Sequence, residues 1–475
     1  MRSSQLQRVF FPERTVKKTW NENEKEKTMK KFLSLMLTLV MAASLVGCGA
    51  KKEEAPSAPA ASAPAASAPA EAKPYEGTKL RVILAGHDWT NAVQSRLSEF
   101  EDLTGIELEF ESYPEDQLST KLNVELASGG QYIDVFMCRP LQEVQQFIQN
   151  GYLADVSDLM ADAEFQGDDF ITAAADSYKK SGADDGVYYG VPLVTERQVL
   201  YYRKDLLEAK GIAVPTSLDE LKAAAAALHD PANGVVGFVG RGLANAAVTQ
   251  FSAYMYGFGG DFFDFATNTA TINSPEAVAA FKYYGDLLRE SGPDGALNMH
   301  WQQAAAIYST GGAAFCTDAD AIWQSFCGPE TDVADVAGFA LAPHNSTWSV
   351  CSWGLGVSEG SENKDAAKEF VKWAASVDMT KYIQEKGIST ARNSAWEDPA
   401  CTANYPAELL TAIQEGNKIA TKSYDRPLTT SVSAARDVIG SVITTAIEGG
   451  DVQAAADTAN AQFQAILDAD AAAAG

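Results

Sequence analysis

The sequence predicts an α/β protein with two lobes, and three observations support this prediction. The chain has 475 residues, which is enough for more than one domain. Strand and helix patterns alternate between residues 79 and 138, as they do along a parallel sheet with right-handed crossovers. The stretch Val187–Leu207 is rich in tyrosine and valine, which favours extended backbone. Polar residues stand in its middle, so we interpret it as a crossing between lobes.

The first part of the fold reads as an alternating series. Its predicted elements are a strand at Lys79–Ala85, a helix at Asn91–Leu103, a strand at Ile106–Glu111, a helix at Glu115–Ser128 and a strand at Ile133–Cys138. Ligands of parallel sheets bind outside the carboxyl ends of the strands. Asp88, Trp89 and Arg139 follow two of these strand ends, so we expect them at a binding site.

The rest of the chain also shows patterns of strands and helices. Leu141–Asn150 reads as a helix, and a strand at Gly234–Gly240 ends at Arg241. Ser217 and Glu220 have the spacing of a helix-capping box. From Ala407 onwards the pattern is mostly helical and rich in alanine.

The amino-terminal segment is predicted to be a targeting signal rather than part of the fold. A basic Met29–Lys31 precedes Phe32–Ser44, an apolar run of 13 residues that is too short for an ordinary membrane-spanning helix. With Leu45–Cys48 after it, the segment resembles a bacterial lipoprotein signal. That resemblance implies a signal peptide at residues 29–47 and a lipid on Cys48. Residues 1–28 are interpreted as an upstream mis-start, and an uncleaved signal anchor is the alternative.

Residues 48–74 are predicted to form a tether, because alanine, proline and serine cannot bury enough surface to fold.

The net charge of −26 argues against a nucleic-acid partner, which would need clustered basic residues. Past Cys48, five cysteines remain, and they match no zinc pattern. Buried free thiols are favoured over a Cys316–Cys327 disulfide. No cofactor or metal is predicted.

Several motifs occur in an order typical of one family. They are Tyr132–Phe136 with Gly151–Val156, Tyr189–Pro192 with Leu200–Leu206, Pro215–Leu221 (with Leu218 in place of the usual Trp), Asn363–Phe370 and Ser389–Arg392. From about Lys79 to Ala395 the sequence therefore resembles the extracellular solute-binding proteins of sugar-type ABC transporters, the group that includes maltose-binding protein. The resemblance is specific for the family and uninformative about the ligand.

The resemblance implies a periplasmic-binding-protein fold, in which two lobes with mainly parallel sheets flanked by helices are joined by three hinge crossings. The lobes would be residues 75–191 with 343–389, and 192–342 with 390–475. The crossings would lie at Val191–Val194, Ala340–Pro343 and Ser389–Arg392. It also implies a monomer outside the cytoplasm, anchored to the membrane by its lipid, that delivers a solute to ABC permease subunits.

Candidate ligand contacts are cleft-side loop residues, because aromatic rings cover the apolar faces of sugars and charged groups bond the hydroxyls. The candidates are Asp88, Trp89, Arg139, Glu196, Arg197, Arg241, Phe258, Asp318, Asp320, Trp323, Trp353 and Arg392. Trp301, Trp348, Trp373 and Trp396 are interpreted as packing residues. If two or more of the four arginines face the cleft, an anionic sugar, uronate or glycerophosphate-type ligand is favoured.

A lipid-anchored glycan hydrolase is the alternative function. Gly356–Gly360 matches the G-x-S-x-G pattern, but the four histidines all precede Ser358, whereas that fold places its histidine after the serine. A glycosidase needs only two positioned carboxylates, so counting acidic residues does not exclude one. The solute-binding protein and the hydrolase therefore both remain open at the level of sequence.

Overall fold

The structure is a computed structural model that describes residues 73–180, 186–344 and 347–474. The predicted mis-start, signal peptide and lipidation site at Cys48, and nearly all of the tether, lie outside these ranges. The strands are β1 (Lys79–Ala85), β2 (Glu107–Tyr113), β3 (Val135–Cys138), β4 (Val191–Arg203), β5 (Val236–Phe238), β6 (Phe263–Asp264), β7 (Thr269–Ala270), β8 (Ala313–Ala319), β9 (Ala337–Leu341), β10 (Thr347–Val357) and β11 (Ala420–Lys422).

The helices are α1 (Asp88–Gln94), α2 (Leu97–Thr104), α3 (Glu115–Ala127), α4 (Gln145–Gln149), α5 (Ser157–Met160), α6 (Thr172–Asp176), α7 (Lys204–Lys210), α8 (Leu218–Leu228), α9 (Ala244–Gly257), α10 (Pro275–Ser291), α11 (Trp301–Ser309), α12 (Trp323–Cys327), α13 (Lys364–Ala374), α14 (Val377–Glu385), α15 (Asn393–Glu397), α16 (Pro399–Thr402), α17 (Ala407–Ile419), α18 (Val432–Glu448) and α19 (Val452–Ala474). A π-helical turn, Pro140–Val144, leads into α4.

The first lobe is built on a sheet with the strand order β2-β1-β3-β10-β4. β1 lies parallel to β2 and to β3, with Val82 opposite Val135. Within this order β10 runs antiparallel to β3 and β4, and outside it β10 pairs parallel with β11. The carboxyl ends of β1 and β3 therefore meet at one edge of the sheet. His87 and Arg139, which follow these ends, come to the same side of the lobe.

The second lobe is built on β9, β4, β8 and β5. Residues 198–203 of β4 pair antiparallel with β8 and β9, and β5 lies parallel to β8. Residues 191–197 of the same strand pair with β10. β4 thus belongs to both sheets and passes from one lobe to the other at Arg197 and Gln198. The predicted α/β class is confirmed, and the sheets are mixed because the crossing strands run against their neighbours.

The second lobe buries both faces of its sheet. Val199 and Tyr201 enter one hydrophobic cluster, and Leu200 and Tyr202 enter another. This division follows from the alternation of side chains along a strand. The first lobe has one large cluster, in which Phe136 and other strand residues pack against the flanking helices. Burying each such side chain contributes roughly 1.5–3 kcal/mol.

The packing places the crossings differently from the prediction. Val194 packs in the first lobe, so the first crossing lies after the predicted Val191–Val194. Trp348 still packs in the second lobe and Trp353 in the first, so the second crossing lies inside β10 rather than at Ala340–Pro343. Ala391, within the predicted third crossing Ser389–Arg392, still packs in the first lobe. The first two predicted crossings were too early because the chain continues to pack on one lobe beyond them.

All five cysteines of the described ranges, Cys138, Cys316, Cys327, Cys351 and Cys401, are buried free thiols. The prediction of free cysteines is thus confirmed, and the alternative Cys316–Cys327 bridge is not formed. No helix in the part of the chain that the structure describes combines the length and the apolar character needed to cross a membrane.

A buried ion pair ties the three crossings together. Arg197, on β4, donates from Nη1 to Oδ2 of Asp320 at 3.0 Å, and its main-chain N–H donates to Oδ1. Ser389, from the third crossing, donates to the same carboxylate at 3.1 Å. Asn417 accepts from Nε of Arg197 at 2.8 Å and from the hydroxyl of Ser349 on β10 at 3.3 Å. We call Arg197, Asp320, Ser389, Asn417 and Ser349 the hinge cluster.

Removing the cation of the hinge cluster should destabilise the whole fold. In an Arg197→Ala variant, the Asp320 carboxylate stays buried without its partner, and we expect the free energy of unfolding to fall by about 3–5 kcal/mol. Urea denaturation measures this change. Lys79→Ala is the control, because Lys79 and Glu107 form a pair with side chains 72% and 66% exposed. The free energy of unfolding of that variant should change little, because water screens an exposed ion pair. Equal losses from the two variants would contradict the assignment.

Candidate functional site

A cavity of about 400 Å³ lies between the two lobes, within the size range of small-molecule sites. Both lobes contribute to its wall, which we call the inner cavity. Its lining residues include His87, Glu115, Ser119, Arg139, Gln142, Glu143 and Trp353 from the first lobe, and Arg241, Asn245, Thr249, His300, Trp301, Arg426, Ser433 and Arg436 from the second, with Glu196 on the crossing strand.

The first-lobe wall is organised around Arg139, directly after β3. Its Nε donates to Oε1 of Glu143 at 3.1 Å, Nη2 donates to the hydroxyl of Ser119 at 2.6 Å, and Nη1 donates to Glu115 at 3.3 Å. Burial acts to raise the pKa of Glu143 and of Glu115, but Arg139 outweighs it, so both pKa values lie below their ordinary values. The guanidinium carbon also lies 5.3 Å from the ring centroid of Trp353. Arg139 is therefore held as a neutralised, fixed donor.

The second-lobe wall repeats this arrangement. Arg241 follows β5, and its Nε donates to Oδ2 of Asp318 at 2.9 Å. The backbone of Arg241 is held as well, because its N–H donates to Gln250 and its carbonyl oxygen accepts from the hydroxyl of Tyr284 at 2.7 Å. Asp318 is buried behind the guanidinium and balances its charge.

Glu196 differs from the other carboxyl groups of the wall. It projects from β4 opposite Val350 and is half-buried. Burial raises its pKa, the neighbouring Asp320 raises it further and Arg241 acts in the opposite direction, so that the pKa lies at about 8. At neutral pH the group is therefore mostly protonated. A neutral carboxyl group can donate one hydrogen bond and accept others, which suits a hydroxyl ligand.

Trp301 was interpreted from the sequence as a packing residue, but it lines the inner cavity. It begins α11, whose N-cap His300 accepts from the N–H of Trp301 at 2.9 Å through Nδ1. The indole Nε1–H donates across the cleft to Oε1 of Glu115 at 3.4 Å. Trp301 and Trp353 thus bring one aromatic ring from each lobe. The signal in the sequence was a tryptophan at the start of a capped helix, after a turn-rich segment.

Four of the predicted contacts, Arg139, Glu196, Arg241 and Trp353, lie in the wall of the inner cavity. Asp318 stands behind Arg241 as its partner. Sequence reasoning missed the contributions of His87, Glu115, Gln142, Arg426 and Arg436 to the same wall. The two carboxy-terminal arginines come from a region that the sequence described only as helical and rich in alanine.

The structure gives two predicted arginines another role. Arg197 and Asp320 belong to the hinge cluster, where each satisfies the other. Arg392 is fully buried, 3.9 Å from the ring centroid of Phe170, and it donates to the carbonyl oxygens of Gln166 and Phe165. These guanidinium groups have protein acceptors on all sides, so the prediction that Arg197, Asp320 and Arg392 contact ligand is corrected.

Four other predicted residues also lie outside the cavity wall. Trp89 is 1% exposed and packs in the first-lobe core. Trp323 is buried in the second lobe, and its Nε1–H donates to the carbonyl oxygen of Gly387 at 3.0 Å. Phe258 packs beside Tyr283. Asp88 is exposed in the first turn of α1, where a carboxylate stabilises the helix terminus. These residues are assigned to packing and capping.

The charges of the wall are balanced in place. Arg139 pairs with Glu143 and Glu115, Arg241 with Asp318, and Arg426 with Asp425. Arg436 donates instead to the carbonyl oxygen of Asn245 and to the amide oxygen of Gln142. No cluster of His, Cys, Asp and Glu within the described ranges has the arrangement of a metal site. The site thus offers many fixed hydrogen-bonding groups without an excess of positive charge.

The chain matches one family of proteins. The profile of the family described as bacterial extracellular solute-binding protein matches residues 86–381. A mannitol-binding protein of Pseudomonas aeruginosa is 29% identical over 286 residues, which cover 57% of this chain and 63% of that protein, less than two thirds of its length. A probable amino-acid ABC transporter periplasmic-binding protein of Sinorhizobium fredii is 27% identical over 345 residues, covering 70% of this chain and 77% of that protein.

The fold also matches solved structures. An ABC transporter solute-binding protein of Agrobacterium radiobacter, crystallised in complex with ribitol, superposes with a TM-score of 0.74 and 26% sequence identity. The superposition covers 83% of this chain and 100% of that chain. The two-lobed architecture is therefore shared over the whole length of that protein.

The pKa of Glu196 predicts how stability depends on pH. A carboxyl group whose pKa is raised on folding stabilises the fold below its unfolded pKa, and this contribution is lost as the pH rises through the folded value of about 8. Glu196→Gln cannot ionise. The melting temperature of the native sequence should therefore fall relative to that of Glu196→Gln between about pH 5 and about pH 9.

Glu109→Gln, at an exposed position on β2, controls for the loss of one negative charge. The difference in melting temperature between native sequence and variant should change with pH for Glu196→Gln and much less for Glu109→Gln. A constant difference for Glu196→Gln across this pH range would mean that Glu196 is already ionised in the folded protein.

Proposed function

This chain belongs to the bacterial extracellular solute-binding proteins, and on that premise we propose that it is the substrate-binding protein of an ABC importer and captures a neutral polyhydroxylated solute. The ligand class is an alditol or a small sugar, bound in the inner cavity between the lobes. The observation that supports this best is the cavity wall itself. Three of its four arginines, Arg139, Arg241 and Arg426, are paired with carboxylates of their own lobe, and one tryptophan comes from each lobe.

Such a wall suits hydroxyl groups. Carboxylates paired with an arginine keep free lone pairs, and hydrogen bonds to charged groups are about twice as strong as those between neutral groups. Glu143 and Glu115 can accept, the guanidinium groups can donate, and the protonated Glu196 can do either. The apolar C–H faces of a polyol would lie against Trp353 and Trp301. Mannitol and ribitol, the ligands named for two of the similar proteins, belong to this chemical class.

An anionic ligand is less well supported, although Arg139 and Arg241 both reach the cavity. A uronate or phosphate needs a guanidinium that is free to form a two-pronged pair. Arg139, Arg241 and Arg426 already form pairs with carboxylates of the chain, and Arg436 donates to the oxygens of Asn245 and Gln142. The same reasoning applies to the amino-acid class named for the relative from Sinorhizobium fredii, because an amino acid also carries a carboxylate.

The hydrolase alternative has no support from the comparisons. The family and the similar proteins are transport binding proteins, which capture a solute without converting it. In the proposed mechanism, ligand closes the lobes about the three crossings, and the closed form presents the solute to the permease. Hinge closure around ligand is the usual motion of two-lobed binding proteins. The protein would act as a monomer and without a cofactor.

The proposal extends to the membrane. Met29–Cys48 has the order of a lipoprotein signal, and residues 48–74 have the composition of a flexible tether. An extracytoplasmic location agrees with the family. A lipid on Cys48, together with the tether, would keep the two lobes close to the permease while leaving them free to rotate.

A thermal-shift and calorimetry panel tests the ligand class. Ribitol, mannitol, glucose, glucuronate, glycerol 3-phosphate and glutamate are each added to the purified chain. A ligand at about 100 times its Kd should add about 2.7 kcal/mol to the free energy of unfolding. We expect stabilisation by neutral polyols or sugars. Stabilisation by the anions alone would overturn the charge argument, and turnover of an added glycan would overturn the binding-protein function.

Trp301 provides the matched variants for this panel. Trp301→Ala should weaken polyol binding at least tenfold, equivalent to about 1.4 kcal/mol, because one aromatic face of the site is lost. Trp301→Phe keeps an aromatic face and loses only the bond to Glu115, so its effect should be smaller. Tyr132→Ala is the control, since Tyr132 is 73% exposed and outside the cavity wall. Unchanged affinity in Trp301→Ala would remove Trp301 from the site.

Cys48→Ala tests the lipid anchor. Without the thiol no thioether-linked lipid can form, so the protein should move from the membrane fraction to the soluble fraction or the medium. Fractionation followed by immunoblotting measures the change, with Cys401→Ala as the control for loss of a thiol that is buried in the folded protein. Retention of Cys48→Ala at the membrane would instead favour the uncleaved signal anchor.

A further inference from the structure

The space between the lobes is divided into two compartments. Beyond the inner cavity of about 400 Å³ lies a second interlobe space of about 890 Å³, which we call the outer groove. Gln142 and Gln146 line both compartments. The outer groove is lined by further amide side chains, among them Gln145, Gln149 and Asn268. Amide groups of this kind can bond hydroxyls, so the groove is chemically suited to additional sugar units.

Gln142, which lines both compartments, bonds across the lobes to Arg426 and Arg436 of the inner cavity, and we call these three side chains the clasp. Oε1 of Gln142, from the first lobe, accepts from Nη1 of Arg426 at 2.9 Å and from Nη1 of Arg436 at 2.8 Å, both from the second lobe. Nε2 of Gln142 donates to the hydroxyl of Ser433 at 2.9 Å. One amide group thus uses both of its ends to bridge the lobes.

The second-lobe half of the clasp is fixed in advance. Arg426 is held by Asp425 through Nε at 2.6 Å and Nη2 at 2.7 Å. Arg436 donates from Nη2 to the carbonyl oxygen of Asn245 at 2.7 Å. Burial, and then the neighbouring Arg426, lower the pKa of Arg436 well below its ordinary value. A buried guanidinium without a carboxylate of its own depends on neutral oxygen acceptors, and Gln142 supplies one of them.

The first-lobe half is presented by an unusual local structure. Gln142 lies in the π-helical turn Pro140–Val144, directly after β3 and Arg139. Turns of this kind are rare and frequent at functional sites, because they redirect side chains that a regular helix would place elsewhere. The turn places Gln142 towards the second lobe while Glu143 faces Arg139. The turn Pro140–Val144 therefore supplies Glu143 to the wall of the inner cavity and Gln142 to its end.

We infer that the clasp is the determinant of ligand length, closing the inner cavity behind a single small polyol or monosaccharide and excluding oligosaccharides from the outer groove. The inference deepens the proposed function and rests on it. A longer ligand would have to break two hydrogen bonds to guanidinium groups and leave Arg436 short of an acceptor. Hydrogen bonds to charged groups are the costly ones to lose.

The test compares affinities for short and long ligands by isothermal titration calorimetry of the purified chain, with ribitol and mannitol against maltose and maltotriose. The native sequence should prefer the better alditol to maltotriose by at least a hundredfold. Gln142→Ala removes the bridging amide, and because Gln142 is only half-buried the core stays intact. The preference should fall at least tenfold in this variant, chiefly through tighter binding of maltotriose.

Two further variants isolate the cause. Gln142→Glu keeps the length of the side chain and accepts from both guanidinium groups, so it should keep the full preference for alditols. Gln149→Ala removes another interlobe hydrogen bond, to the carbonyl oxygen of Ala473 at 3.4 Å, but lines only the outer groove. It should also keep the preference, which separates the clasp from a general loosening of the lobes.

The outcomes are distinguishable. Equal affinity of the native sequence for alditols and maltotriose, or an unchanged preference in Gln142→Ala, would overturn the role of the clasp while leaving the binding function in place. Loss of the preference in Gln149→Ala would also overturn it. Failure of the native sequence to bind any of the four probes would overturn the proposed carbohydrate function, and the clasp with it.

Discussion

The buried pair of Arg197 and Asp320 is the constraint on which the site depends. It connects β4, β10 and the third crossing, so it fixes where the two lobes meet. It also sets the direction of Glu196. Consecutive side chains of a strand point to opposite faces, so a strand that turns Arg197 into the hinge turns Glu196 towards the cavity. Breaking a buried pair leaves an uncompensated charge, which is why this position is rigid while the lobes can rotate about it.

The electrostatics of the cavity explain how an acidic chain can carry a site with four arginines. Three are held by carboxylates of their own lobe, Arg139 by Glu143, Arg241 by Asp318 and Arg426 by Asp425, and Arg436 donates to the carbonyl oxygen of Asn245. Such pairs fix the geometry of the donors without creating a field that selects anions. A neutral polyol then replaces water in the cavity through the number and placement of its hydrogen bonds to the wall. The tryptophans add contact with the apolar C–H faces of the polyol.

Much of the architecture follows from local sequence patterns, but the site follows from them only in part. Alternating strands and helices and the ends of β3 and β5 indicated Arg139 and Arg241. The π-helical turn after β3 was not predicted, and the predicted helix Asn91–Leu103 is interrupted between α1 and α2. Arg392 was misplaced because three of its acceptors, Gln166, Phe165 and Asp169, lie 223 or more residues away in sequence. Trp301 and Arg436 were missed for the same reason, because only the folding of the whole chain brings them to the cleft.

The distribution of burial between the hinge and the cleft accounts for reversible binding. Bonds within the hinge cluster are largely shielded from water, with Arg197 and Asp320 almost without exposure. Bonds that bridge the lobes in the cleft, such as those of Trp301 to Glu115 and of Gln142 to Arg426, involve half-buried groups that water reaches when the cleft is open. Opening the cleft therefore exchanges protein hydrogen-bond partners for water at small net cost in free energy. Opening the hinge would instead leave a buried charge without its partner. The ligand needs to supply only the difference in free energy between the open and the closed cleft. A modest set of hydroxyl contacts is therefore enough to close the lobes.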